Sequence, residues 1–156
     1  NACMIAALGA LVILAGETWG EIRLGLSQEQ SNITVLFGVS TLMAAFTEEL
    51  IFRGFIVIDG KGNALRWAGV IGASVLFAAL HPFLWKWDDS GFAWTFAPKG
   101  WFSTITVFTA SLWFYAMRFA SFNPARSLLP CIAAHAAKNL GVVAVKAVQG
   151  HIAGWW

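Results

Sequence analysis

The sequence predicts an all-α membrane protein, a polytopic transmembrane helix bundle with about five membrane helices. Hydrophobic residues make up 58% of the 156 residues and charged residues only 12%, a balance that soluble globular domains do not have. The hydrophobic residues form long runs, and most of these reach the length of about 20 residues that a membrane-spanning helix needs. Several tryptophans lie at or just beyond the ends of the runs, as is common at the membrane–water interface.

Five apolar runs define the predicted helices, and they cover residues 2–15, 33–58, 67–85, 101–120 and 127–148. The last four are long enough to cross a membrane, whereas the first is short for a span unless it continues upstream. The length fits one domain, residues 1–156. Because the chain begins at Asn1 inside apolar sequence without an initiator Met, we expect it to be a piece of a longer protein, truncated at the N-terminus.

The connecting segments differ in character. Residues 16–32 are polar and acidic, residues 59–66 form a glycine-containing turn, and residues 119–126 contain the helix-breaking pair Asn123-Pro124. Residues 86–100 mix charged and aromatic side chains, which predicts a loop lying in the membrane interface. Lys and Arg are distributed equally between the two sets of loops, so the positive-inside rule assigns no orientation.

Three charged residues, Glu48, Glu49 and Arg53, interrupt the second run. A charge inside a membrane helix costs about 2.5–3.5 kcal/mol on insertion scales and usually faces a bundle interior or a wet cavity. Glu49 and Arg53 are four residues apart and are predicted to pair on one helix face. Glu48 lies about 100° around the helix from Glu49 and has no local counter-ion, so this carboxylate is free to act as a base.

Two of the three histidines also lie within apolar runs. His81 precedes Pro82, which predicts a kink or a helix end at the histidine. His135 and Asn139 are four apart on one face of the last run, and two interpretations are open. They form an interhelical hydrogen-bonding pair, or they supply donors to an oxygen that develops negative charge.

Together, these residues resemble the motif set of one family. Glu48-Glu49-x-x-x-Arg53, Phe77-x-x-x-His81 and His135-x-x-x-Asn139, on successive helices, are similar to the motifs of the CPBP intramembrane proteases, the family of the CAAX prenyl endopeptidases and the Abi bacteriocin-immunity proteins. The resemblance covers residues 33–140. The long aromatic segment between His81 and His135, Pro82 and Lys138 depart from the usual pattern.

The resemblance implies hydrolysis of a peptide bond in a membrane-associated substrate. It implies that Glu48 is the general base, that His81 positions the attacking water, and that His135 and Asn139 stabilise the oxyanion. Glu49 and Arg53 would hold the end of the helix and the electrostatic field around Glu48. Whether a metal is needed is open: Glu48, His81 and His135 are candidate zinc ligands, but the helical zinc signature HExxH is absent.

The expected partners are the lipid bilayer and a membrane protein or peptide substrate, with other membrane subunits as a further class. Nucleic acid is not expected, because the net charge is only +2 and no basic cluster occurs. The expected location is a bacterial or organellar inner membrane, as a multi-pass protein. Two alternatives to an enzyme are a non-catalytic subunit or scaffold that retains the protease fold, and a small transporter or proton path.

Overall fold

The computed structural model describes residues 1–156 and contains five long helices. These are α1 (Ala2–Arg23), α2 (Val35–Glu49), α3 (Asn63–Leu80), α4 (Pro98–Phe119) and α5 (Leu129–Val148). A π-helical turn, Leu50–Phe55, continues α2, and the antiparallel strands β1 (Trp85–Asp88) and β2 (Gly91–Trp94) form a hairpin between α3 and α4. The prediction of an all-α bundle is confirmed, with the hairpin as a minor addition.

Four helices are long and apolar enough to cross a membrane: α1, α2 together with its π turn, α3 and α5. Helix α4 is 22 residues long, but serines and threonines interrupt its apolar sequence and it does not meet the same criterion. Large apolar side chains such as Val12, Met43 and Ile71 lie on the outer surface. An apolar surface of this extent is what lipid contact requires, and the chain is a multi-pass membrane protein.

Helix α5 lies at the centre of the arrangement, because α1, α2 and α4 all pack against it, while α3 packs against α4. One apolar cluster joins α1, α4 and α5 through small residues, including Ala6, Ala10 and Ala134. These small side chains let the helix backbones approach closely, as is common in membrane bundles. A second cluster, around Phe52, Phe77 and Tyr115, joins the π turn to α3 and α4.

Helix α1 is longer than the first apolar run, and the predicted loop at 16–32 is wrong in its first half. The helix continues to Arg23 and has 22 residues, enough for a full span. Its last two turns contain Glu17 and Glu21, which pair with Lys138 and Lys99. The partners are distant in the sequence, so the sequence alone does not reveal these ion pairs. The two acidic residues are therefore predicted from the sequence to lie in a loop, although they face the bundle.

The segment after α3 also differs from the prediction. The third apolar run extends to residue 85, but α3 ends at Leu80 and His81 has an extended backbone, with φ −77° and ψ 128°. Pro82 causes this, since it disfavours helical geometry at the preceding residue. The segment 86–100, predicted to be a loop in the membrane interface, contains most of the hairpin, in which Trp85 pairs with Trp94. Hydrogen bonds from Lys86 and Ser90 lower the pKa of the exposed Asp88 carboxyl near its turn.

Candidate active site

The end of α2 presents the two glutamates, and the π turn after them has unusual backbone bonding. In a π turn the hydrogen bonds span five residues, as from the Ile56 amide to the Ile51 carbonyl, 2.9 Å. Helix α4 binds the carbonyls of this turn: the Tyr115 hydroxyl contacts the Phe52 carbonyl at 2.7 Å, and Arg118 Nε donates to the Arg53 carbonyl at 3.1 Å. Helix α4 therefore fixes the turn that follows the glutamates.

Glu49 and Arg53 form the predicted pair, and both side chains are completely buried. Arg53 Nη1 lies 3.2 Å from Glu49 Oε1. Arg53 Nη2 donates to the Ser111 hydroxyl at 2.6 Å, and that hydroxyl donates to Ser74 at 3.0 Å. The guanidinium also lies over the rings of Phe77 and Tyr115, 4.7 and 4.6 Å from their centroids. These contacts compensate the burial of the guanidinium, because an unpaired charge is costly inside a protein, although Arg53 Nε has no hydrogen-bond partner.

His135 connects the two glutamates. Its Nδ1 lies 2.8 Å from Glu49 Oε1, and its Nε2 lies 3.7 Å from Glu48 Oε2. Since an ionised carboxylate only accepts hydrogen bonds, Nδ1 carries a proton, and in the neutral imidazole Nε2 has the free lone pair. The ring is held against Phe114, 4.8 Å between centroids and nearly parallel.

Glu48 differs from Glu49 in its surroundings. Its side chain is 32% exposed and has no Lys or Arg partner, whereas the Glu49 side chain is fully buried beside Arg53. The 3.7 Å separation from His135 Nε2 exceeds the length of a direct hydrogen bond. At such a separation, one water molecule can hydrogen-bond to both groups. Glu48 is thus the carboxylate of the motif that solvent can reach.

His81 lies at the end of α3 as predicted. Its Nδ1 contacts the Phe77 carbonyl at 2.8 Å, so this nitrogen is the donor and Nε2 has the lone pair in the neutral ring. The imidazole lies between Phe77 and Phe83, at 4.8 and 5.7 Å between centroids. Phe77 is also 6.0 Å from the His135 ring and is therefore the common neighbour of the two histidines.

Asn139 and Lys138 make contacts between helices. Asn139 Nδ2 donates to the Thr41 carbonyl of α2 at 2.9 Å, which satisfies one of its two amide protons. Lys138 Nζ lies 2.8 Å from Glu17 of α1 and pairs with no carboxylate of the motifs. The structure does not bring Asn139 into hydrogen-bonding contact with His135.

The three candidate zinc ligands, Glu48, His81 and His135, do not form a ligand set. No three His, Cys, Asp or Glu side chains in the chain come together in an arrangement that could hold a metal ion. Only Glu48 and His135 approach one another, while the His81 ring is held by Phe77 and Phe83. As placed, these residues do not fit a zinc site that needs three protein ligands.

Sequence reasoning did not identify three residues around the motif charges. The Ser111 hydroxyl accepts a hydrogen bond from the Arg53 guanidinium and donates one to Ser74. The Tyr115 hydroxyl binds a carbonyl of the π turn. The three residues lie in helices α3 and α4 among other serines and aromatic residues, where no spacing distinguishes them. Their importance follows only from the packing of α3 and α4 around the end of α2.

Comparison with known protein families matches the model described as type II CAAX prenyl endopeptidase, Rce1-like, over residues 30–141. The match spans well over half of the chain. The chain belongs to this Rce1-like family. The matched region contains every motif residue from Glu48 to Asn139, whereas α1 precedes it. This is a family of CAAX-type intramembrane proteases. No curated protein and no solved structure shows significant similarity to the chain.

Proposed function

We propose that this Rce1-like protein is an intramembrane endopeptidase that hydrolyses a peptide bond by means of a water molecule activated by Glu48. The observation that carries the proposal is the pairing of a solvent-accessible carboxylate with a buried imidazole, at 3.7 Å between Glu48 Oε2 and His135 Nε2. Both atoms are within reach of one water molecule. The buried Glu49–Arg53 pair holds His135 from the other side.

In the proposed reaction, Glu48 removes a proton from the water, and the resulting hydroxide adds to the carbonyl carbon of the scissile bond. The carbonyl oxygen becomes an oxyanion in a tetrahedral intermediate. When the carbon–nitrogen bond breaks, the proton on Glu48 passes to the leaving amine. A carboxylate with partial exposure and no cationic partner suits this role, because it is accessible and not neutralised by an ion pair.

The proposal gives the remaining motif residues distinct parts. His81 Nε2 accepts a hydrogen bond from the water and orients it. Asn139 offers its second amide proton to the oxyanion, and His135 adds a donor at Nε2 when both of its nitrogens are protonated. The lengths of the Asn139 and His135 bonds to Thr41 and Glu49, 2.9 and 2.8 Å, support both groups being held in place before substrate binds.

The proposed substrate is a membrane protein or a peptide that the lipid bilayer presents to the bundle. A bacterial or organellar inner membrane is the proposed location, and other membrane subunits are candidate partners. The many large apolar side chains on the outer face support lipid contact on most sides. No step of the proposed reaction requires a metal ion.

The experiment is cleavage of a membrane-peptide library in water enriched in the heavy oxygen isotope. Purified, detergent-solubilised protein is incubated with the library, and the products are analysed by mass spectrometry. Hydrolysis of a peptide bond predicts new carboxyl termini that carry one heavy oxygen after a single turnover, and activation of the water by Glu48 predicts that the Glu48→Gln variant forms no such product. A folded protein that cleaves no member of a broad library would contradict the proposal and favour the scaffold alternative.

A further inference from the structure

A second ionic cluster lies outside the protease motifs, at the end of the bundle where α1 and α5 end and α4 begins. Its members near a cavity of about 150 Å³ are Glu17, Glu21, Lys99 and Lys146. Ser31 and Ser103 contribute polar atoms to the same cavity. This space is large enough for several water molecules or one compact polar group.

The charges around this cavity do not balance. Lys99 pairs with Glu21, and Lys138 beside the cavity pairs with Glu17 at 2.8 Å. Lys146 has no carboxylate partner; its Nζ donates only to the Ser31 carbonyl, at 2.6 Å. Three ammonium groups therefore face two carboxylates, which leaves one positive charge.

Lys146 is the source of the excess charge, and it is only 9% exposed. Burial of a cation without a counter-ion is costly, and the ammonium has three donors of which the protein uses one. Lys146 and the neighbouring Lys99 both line the cavity. An anion with a single negative charge would complete the coordination of Lys146 and neutralise the cluster.

The position of the cavity indicates which class of anion would bind there. Glu21 lies two residues before the end of α1, Lys99 is the second residue of α4, and Lys146 lies two residues before the end of α5. Residues at the ends of membrane helices lie at the level of the lipid headgroups. Ser31, which lines the cavity, is an exposed residue. A phosphodiester carries one negative charge, and lysines commonly bind phosphate as point charges.

We propose that the cavity bordered by Lys99 and Lys146 is a binding site for a phosphate group, supplied by a phospholipid headgroup or by free phosphate. This site is separate from the Glu48–His135 pair, which does not line the cavity. The proposal goes beyond the proposed function and does not depend on proteolysis. Binding there would join α1, which precedes the family match, to α4 and α5.

The test measures the thermal unfolding midpoint of the detergent-solubilised protein during titration with three probes. These are sodium phosphate against sodium chloride at equal ionic strength, short-chain phosphatidylglycerol, and the corresponding diacylglycerol without phosphate. We expect the midpoint to rise with phosphatidylglycerol and not with diacylglycerol. A rise with sodium phosphate as well identifies the phosphate group as sufficient, and a rise with phosphatidylglycerol alone identifies a phospholipid.

Variants decide whether the effect belongs to this cavity. Lys146→Met is expected to increase the half-saturating probe concentration about tenfold, since it removes a charge-assisted hydrogen bond. Lys86→Met is the matched control, because Lys86 is an exposed lysine of the hairpin that pairs with Asp88. If Lys146→Met does not fold, Lys99→Met provides the same comparison. An undiminished shift in a folded cavity variant, or equal stabilisation by diacylglycerol, overturns the proposal.

Discussion

At the scale of single residues, Arg53 has the most extensive contacts of the motif side chains. It is fully buried, pairs with Glu49 and donates to Ser111, and four aromatic rings surround its guanidinium. Because Glu49 in turn binds His135, the position of the imidazole depends on a residue that need not touch substrate. In the proposed reaction, Arg53 therefore acts through Glu49 and His135.

Replacement of Arg53 by Met should destabilise the protein strongly. The substitution leaves the buried Glu49 carboxylate without its cation, and loss of one partner of a buried pair costs about 3–5 kcal/mol. Unfolding of the solubilised protein in denaturant measures the effect. Arg126→Met is the control: Arg126 pairs with Asp59 at a partly exposed site, and such pairs contribute at most about 1 kcal/mol. Similar losses in both variants would contradict the assigned role of Arg53.

Asn139 distinguishes the two interpretations of the third motif. Asn139→Ala removes the hydrogen bond to the Thr41 carbonyl, which should lower stability by about 1 kcal/mol. If Asn139 also binds the oxyanion, kcat should fall by about 10²–10³. Unfolding and steady-state kinetics of the same variant separate these effects. A loss of stability with unchanged kcat would contradict a role in oxyanion binding, and Asn139 would then only connect α5 to α2.

At the scale of elements, the segment between His81 and α4 is positioned by close backbone contact. Gly100, in the first turn of α4, lies against the Phe83 carbonyl oxygen, and a side chain at this position would occupy the same space. Phe83 stacks on His81. The start of α4 therefore sets the position of the second motif through the backbone.

Gly100→Ala should reduce both stability and activity. The added methyl group would meet the Phe83 backbone, which cannot move aside as a flexible side chain can. Overpacking of this kind lowers the stability by about 1–3 kcal/mol. Gly72→Ala in α3 is the matched control, because no atom lies within 4 Å of the added carbon, and alanine has the higher helix propensity. Denaturant unfolding and cleavage rates should show a loss for Gly100→Ala alone; equal behaviour of both variants would contradict the steric account.

The local features of these elements were predictable, and the distant contacts were not. The Glu49–Arg53 pair and the helix end at His81 follow from spacing and from Pro82, which act within a few residues. Glu17 and Glu21, which lie in the part of α1 beyond its apolar run, pair with lysines in α4 and α5. The Asn139–Thr41 bond likewise joins residues distant in sequence. One sequence without its packing does not specify such pairings.

At the scale of the whole molecule, the bundle places one accessible carboxylate next to buried charges. Helix α2 supplies Glu48, α5 supplies His135, and α3 ends at Leu80, directly before His81. The family match over residues 30–141 includes Glu48, His81 and His135. The arrangement brings together Glu48 and His135, two of the three candidate zinc ligands, while the third, His81, packs against Phe77.

Chelation should therefore leave proteolysis unchanged. No three ligating side chains meet in the structure, and a catalytic zinc site normally needs three protein ligands. The measurement is the initial rate of peptide cleavage after treatment with a strong chelator and removal of the chelated metal. Loss of activity that added zinc restores would contradict this prediction and would require Glu48, His81 and His135 to converge when substrate binds.

The most direct test of the central claim compares the cleavage rates of Glu48→Gln and Glu29→Gln. Both variants replace one carboxylate by an amide, but Glu29 is an exposed residue that forms no ion pair and lies far from the motifs in sequence. Loss of a general base lowers the rate by about 10²–10⁴, so Glu48→Gln should lose nearly all activity while Glu29→Gln retains it. Wild-type activity in a folded Glu48→Gln variant would contradict the account.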